Sequence, residues 1–275
     1  MKKTLAVIAL AGIAGAAQAD LLAWWSFNNS NNDSDLLNST GDDNARANFG
    51  HMLDNNDGFD DGFYDPAAGR LYPVSDSFTI NPGALIDNPD PGPGIPNAAD
   101  YGAYIDVSNL VGDNFATSAN NNWGSFQGTG DNRPDGGTFG GGSLSVTGEA
   151  NNFSTFSIVA DLTGFQDIAI SWANRGTGTG FNARFVEVST DGVNFDNIYS
   201  DGGALTSSWS VETASAGSLL DNASNAILRF TISGASSVNG NNRFDNIQLT
   251  GNVIPAPAGL AALGLGLVAA GRRRR

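Results

Sequence analysis

Ala226-Ile227-Leu228-Arg229-Phe230-Thr231-Ile232-Ser233 is the stretch that decides the fold class. Leu228, Phe230 and Ile232 fall on one side of an extended chain, Arg229 and Thr231 on the other. That is the period-two pattern of a strand with one face in a core and one toward water. Ile168, Ile170 and Trp172 line one side of a second segment in the same way. Working outward, further strands are expected at Leu21–Phe27, Tyr101–Val107, Ser143–Thr147, Phe153–Asp161, Phe181–Ser189, Asn194–Tyr199, Ser208–Thr213 and Arg243–Thr250. Between Asp20 and about Gly251 no stretch keeps a helical period beyond two turns. Short strands bounded by Gly, Asn and Asp, with no crossover helices, predict an all-β, antiparallel two-sheet sandwich of jelly-roll type.

Composition agrees and removes several functions. Of the 28 acidic residues only Glu149, Glu187 and Glu212 are Glu; the rest are Asp, which suits turns and caps better than helices. Lys2 and Lys3 are the only lysines, and Arg272 to Arg275 hold four of the arginines. The segment from Asp20 to Gly251 therefore sets seven Arg against all 28 acids, a formal charge of −21. Nucleic acid is excluded as a partner, because phosphate neutralisation needs clustered cations. The absence of Cys excludes a disulfide scaffold, a zinc ribbon and a thiol nucleophile, and the single His51 excludes a multi-histidine metal site. There is no Gly-x-Ser-x-Gly elbow, and the Gly-rich run Gly136 to Gly142 lacks the Lys and helix of a phosphate loop. A two-carboxylate polysaccharide hydrolase or lyase survives the counting of acids. The three glutamates, however, lie in or beside expected strands, so no catalytic residue is assigned and a non-enzyme is expected.

The two ends read as addresses. Lys2-Lys3, the apolar run from Thr4 to Ala17 and the small-x-small pattern Ala17-Gln18-Ala19 before Asp20 predict a signal peptide over residues 1–19, cut by signal peptidase. At the other end, Pro255-Ala256-Pro257 precedes a Gly/Ala/Leu run, Gly259 to Gly271, and the block Arg272-Arg273-Arg274-Arg275. The apolar run predicts a short transmembrane-type helix with its arginines on the cytoplasmic side and the main body across the membrane.

This ending resembles the PEP-CTERM sorting signal of exported bacterial proteins, which also goes under the name of an ice-binding-protein C-terminal domain. The resemblance covers about Val253 to Arg275, and Ala256 stands where the motif has Glu. It implies recognition by an exosortase-type processing enzyme and delivery to the cell surface or an exopolysaccharide matrix. The expected organisation is a signal peptide (1–19), an acidic sandwich (20–251) and a sorting tail (252–275). The Pro-rich stretch Asn88 to Pro96 is expected to be a loop within one domain.

Three local features bear on ligands. Ser189-Thr190-Asp191-Gly192-Val193-Asn194-Phe195 predicts a tight hairpin, structural rather than chemical. In Arg243-Phe244-Asp245-Asn246-Ile247-Gln248-Leu249, Asp245 shares parity with Ile247 and Leu249, which would aim a carboxylate at an apolar face. This ending resembles the last strand of jelly-roll carbohydrate-binding modules, where an Asp often helps hold a structural calcium. The alternatives are bonds from Asp245 to backbone amides or a pair with Arg243. The acidic run Asp54 to Asp65, with Asp57, Asp60 and Asp61, is either a solvated loop or a second source of calcium ligands; its spacing does not match an EF-hand. No cofactor is required by these readings. Trp123, Phe126, Trp209 and Tyr64 are the aromatics open to stacking on sugars, with Trp123 and Trp209 the ligand-binding candidates. Together these readings predict a non-enzymatic exported surface or matrix protein, with a calcium-assisted carbohydrate-binding module as the alternative and a polysaccharide-acting enzyme as the second.

Overall fold

The computed structural model describes residues 19–25, 27, 64–65, 69–71, 103–112, 123–134 and 142–254. Within them the alternating segments become thirteen strands: β1 (Asp20–Trp25), β2 (Tyr64–Asp65), β3 (Arg70–Leu71), β4 (Ala103–Asp106), β5 (Trp123–Gln127), β6 (Gly142–Thr147), β7 (Thr155–Ala160), β8 (Phe165–Gly176), β9 (Ala183–Ser189), β10 (Asp196–Gly202), β11 (Ser210–Gly217), β12 (Ala226–Ser233) and β13 (Asn241–Val253). A front sheet runs β11-β8-β13-β6-β5, with β1 also on β13, and a back sheet runs β10-β9-β12-β7-β4-β3-β2. Every strand pair is antiparallel. The chain is an all-β, two-sheet sandwich. No described helix is long and apolar enough to cross a membrane.

The deciding stretch behaves as its pattern requires. In β12, Leu228, Phe230 and Ile232 are buried while Arg229 and Thr231 are only partly so. Phe230 is central to an aromatic cluster joining the two sheets. Its ring stacks on Phe156 at 4.6 Å and meets Trp172 edge-on at 5.1 Å, and Phe244 packs edge-on against Phe156 at 5.0 Å. Phe156 and Phe230 come from the back sheet, Trp172 and Phe244 from the front. These contacts fix which residues of the front sheet point inward and, by alternation, which point out. At the other end of the sandwich Trp25 reaches across, its Nε1 donating to the Leu71 carbonyl at 3.1 Å.

The hairpin expected at Asp191-Gly192 joins β9 to β10. Gly192 has φ +72°, a conformation that carries little strain only without a Cβ. Asp191 closes the turn by accepting from the Val193 and Asn194 amides, each at 2.8 Å, and from Asn194 Nδ2. These bonds hold its carboxyl below the usual carboxylate range. The tight hairpin forms where its sequence indicated.

β1 begins at Asp20, the first residue after the expected cleavage point, and pairs with the end of β13 through Asp20 and Gly251. The first and last strands of the sandwich are therefore neighbours. Ala17, Ala19's upstream leader, and the tail from Pro255 through Arg275 lie outside the described residues, apart from Ala19 itself, which is exposed.

Candidate functional site

The outward face of the front sheet collects the side chains of interest, and strand register puts them there. Arg175 of β8 lies directly opposite Arg243 of β13, Arg243 opposite Ser145 of β6, and Ser145 opposite Gly124 of β5. Phe244 and Trp172 point into the core, so Arg243, Arg175 and Ser145 point out. Trp209 precedes β11, whose first residue, Ser210, pairs with Asn174; this sets the indole beside Arg175, with the guanidinium 5.7 Å from its ring. The adjoining row runs Val211, Ala173, Asp245, and Phe126 pairs with Ser143 at the far side.

Between two aromatic borders, Ala173, Ser143, Ser145 and Gly124 point outward but are buried. Trp209 is half-buried on one side and Phe126 half-buried on the other. At about 4.8 Å per strand step, the four steps from β11 to β5 span roughly 19 Å. Arg243 lies across the serines: its guanidinium carbon sits 3.9 Å from the Phe126 ring centre and Nη1 donates to the Gln127 carbonyl at 3.2 Å. Its Nε is buried without a partner. Burial and the positive charge of Arg175 lower the Arg243 pKa to about 10.

Beside this surface the segment 128–133 is latched onto the sheet by Asp245 and Asn246. Asn246 has φ +45°, and between Asp245 and Gln248 the register with β8 slips by one residue. This bulge reverses the parity read from sequence. Ile247 and Leu249 face the core, whereas Asp245 faces outward beneath the latched segment, fully buried there. Its oxygens accept from the Thr129 amide at 2.6 Å and the Asn246 amide at 2.7 Å. Asn246 Nδ2 donates to the Thr129 and Asp131 carbonyls, each at 2.8 Å, and Trp24 Nε1 donates to Asn246 Oδ1 at 3.2 Å. Burial pushes the Asp245 carboxyl up, and the two amides and Arg133 pull only part of the way back.

Of the alternatives at Asp245, bonds to backbone amides are what the structure has. The oxygens nearest to hand for a cation are those of Asp245 and the Thr129 and Asp131 carbonyls, and each already accepts an N–H. Among the described residues no group of three His, Cys, Asp or Glu side chains could hold a metal. Asp57, Asp60 and Asp61 lie outside the described residues, as do His51 and the tail motif.

The two tryptophan candidates separate. Trp123 pairs with Val146 on the inward face and is 5% exposed, a core residue with no ring face to offer. Trp209 is on the outward face. Arg175 was not singled out from the sequence, and Arg243 entered only as an alternative partner for Asp245; the partner strand, not the neighbouring residue, makes the two arginines adjacent, and one sequence carries no sign of that register. The glutamates are engaged separately: Glu187 holds Arg229 at 3.0 Å, Glu212 accepts from Ser210 Oγ at 3.3 Å, and Glu149 is exposed at the start of the 3-10 turn Glu149–Asn151.

No family model matches the chain, and no curated protein matches it. Among solved structures it is similar to TmCBM61 in complex with β-1,4-galactotriose, at 10% identity and TM-score 0.31, covering 41% of this chain and 72% of that one. It is similar also to the CBM22-1 xylan-binding domain of Paenibacillus barcinonensis Xyn10C, at 17% identity and TM-score 0.33, covering 42% and 76%. A third is the K2 cleaved adhesin domain of Lys-gingipain, at 13% identity and TM-score 0.33, covering 55% and 91%. The ligands in those names belong to those proteins.

Proposed function

We propose that the chain is an exported, non-enzymatic cell-surface or matrix protein whose sandwich holds polysaccharide on the outward face of the front sheet. The observation that carries the binding half is the placement of Trp209. A half-buried indole stands on the face away from the core, with the part-exposed Arg175 beside it. A ring face can stack on a pyranose, and the guanidinium of Arg175 can meet its hydroxyls. The export half rests on residues 1–19 and on the PEP-CTERM-like tail around Pro255, Ala256, Pro257 and Arg272 to Arg275. Signal peptidase and an exosortase-type enzyme are the processing partners, and exopolysaccharide is the ligand class that this destination offers.

The test is retention of the full chain on a panel of immobilised polysaccharides. At least one should retain it, Trp209→Ala should weaken retention tenfold or more with an unchanged melting midpoint, and no reducing ends should appear. Failure of every polysaccharide to retain the chain would sink the reading, and sustained release of reducing ends would replace it with a hydrolase.

A further inference from the structure

Resting on that reading, we infer that the ligand of this face is an acidic polysaccharide, whose carboxylate or sulfate groups are received by Arg175 beside Arg243. Between Asp20 and Gly251 acids outnumber arginines 28 to seven, so carboxylate partners are abundant. Two other described arginines take them: Arg184 is paired with Asp201 and Arg229 with Glu187. Arg175 and Arg243 instead stand directly opposite each other across β8 and β13. Like charges placed opposite in a sheet are destabilising, and neither makes an ion pair with a carboxylate among the described residues. The carboxylate on the adjoining row, Asp245, spends both oxygens on backbone amides.

The second observation is the buried Arg243 Nε without a partner, on a residue only 8% exposed. A buried cation with an unmet donor and a second cation alongside is a local excess of positive potential. In a chain this acidic, folding alone gives no reason to keep it. An anion seated on Arg175 offsets it, and the planar guanidinium suits carboxylate and sulfate oxygens in two-point contact. Arg175 is the contact residue because it is the more exposed of the two; Arg243 is a positioning residue that supplies charge from below while gripping Phe126 and the Gln127 carbonyl. Trp209, 5.7 Å from Arg175, gives the sugar ring of the same unit a stacking surface. Because the rest of the body is strongly negative, indiscriminate adsorption of polyanions is disfavoured. Binding then depends on this one face.

The experiment compares polygalacturonate, alginate and chondroitin sulfate with their neutral counterparts, fully methyl-esterified or desulfated. The full chain is titrated against each by calorimetry at about 0.15 M salt, where the Debye length of ~8 Å screens the distant acids. At least one acidic polymer should bind ten times or more tighter than its neutral form and weaken as salt rises. Arg175→Gln should abolish that preference, and Arg175→Lys should restore part of it. Arg243→Gln should weaken the acidic preference, and Arg243→Lys, which keeps the charge and loses the planar fork, should restore it. Equal binding of acidic and neutral forms, or a preference surviving in Arg175→Gln, would overturn the acidic ligand and leave polysaccharide binding standing. No binding to any polymer of either kind would overturn both.

Discussion

Asp245 is a carboxylate buried away from water with two amides aimed at it, and the two influences on its proton oppose each other. Burial disfavours the charged form, and here it prevails over the Thr129 and Asn246 amides. A carboxyl whose folded pKa lies above its unfolded value of about 3.9 binds its proton more tightly in the folded state. Its stabilising contribution is therefore complete below pH ~4 and is lost as pH rises through the folded value. Asp245→Asn removes this titration and leaves one of the two amides without a good acceptor. We expect the variant to be less stable than wild type by about 1–3 kcal/mol at low pH. The gap should shrink as pH is raised from 4 toward 8, read from urea midpoints at each pH. A gap that widens with pH would mean that the amides and Arg133 hold Asp245 as an anion.

One strand carries both the core and the latch, and a single residue divides the two roles. β13 sends Phe244, Ile247 and Leu249 inward and Arg243 and Asp245 outward, which simple alternation cannot do. Asn246 makes the switch by adopting φ +45° and then uses its amide to hold Thr129 and Asp131. Asn246→Gly keeps the backbone freedom and loses the side-chain bonds, whereas Asn246→Ala loses both. We expect Gly to cost about 2 kcal/mol for the unmet buried groups and Ala about 1 kcal/mol more for the strained φ. Hydrogen exchange should rise at the Thr129 amide in both variants, and an unchanged Thr129 rate would show that the latch is held elsewhere. The bulge also marks how far the sequence could be read. The ten strands expected from alternation all exist, because hydrophobic period is local information. β2 and β3 are two residues each, too short for a period, and β5 reads Trp-Gly-Ser-Phe-Gln, which resembles a loop with aromatics. That is why Trp123 looked available while it sits against Val146. Asp245 was recognised as a buried polar group, but its direction depended on an αL residue that no pattern announces. The Arg175–Arg243 pair was beyond reach, since it depends on which strands are neighbours.

At the scale of the whole molecule the governing fact is a body with seven arginines against 28 acids. Such a charge keeps the protein dispersed but opposes the compact state by self-repulsion. Screening should therefore stabilise it. Between about 10 mM and 0.15 M NaCl the Debye length falls from roughly 30 to 8 Å, and the melting midpoint should climb over that range and then level off. Calcium adds a separate question, because a site present only in the folded state would raise the midpoint beyond the effect of ionic strength. The oxygens around Asp245 accept from the Thr129 and Asn246 backbone amides and from the Asn246 side-chain amide, and we expect this latch to close without a cation. The expected result is that the calcium-minus-chelator shift, taken at matched ionic strength, is the same in wild type and Asp245→Asn. Equality would direct attention to Asp57, Asp60 and Asp61 for whatever shift exists. A shift present in wild type and lost in Asp245→Asn would show that a cation displaces the Asn246 amide and takes the latch as its own site.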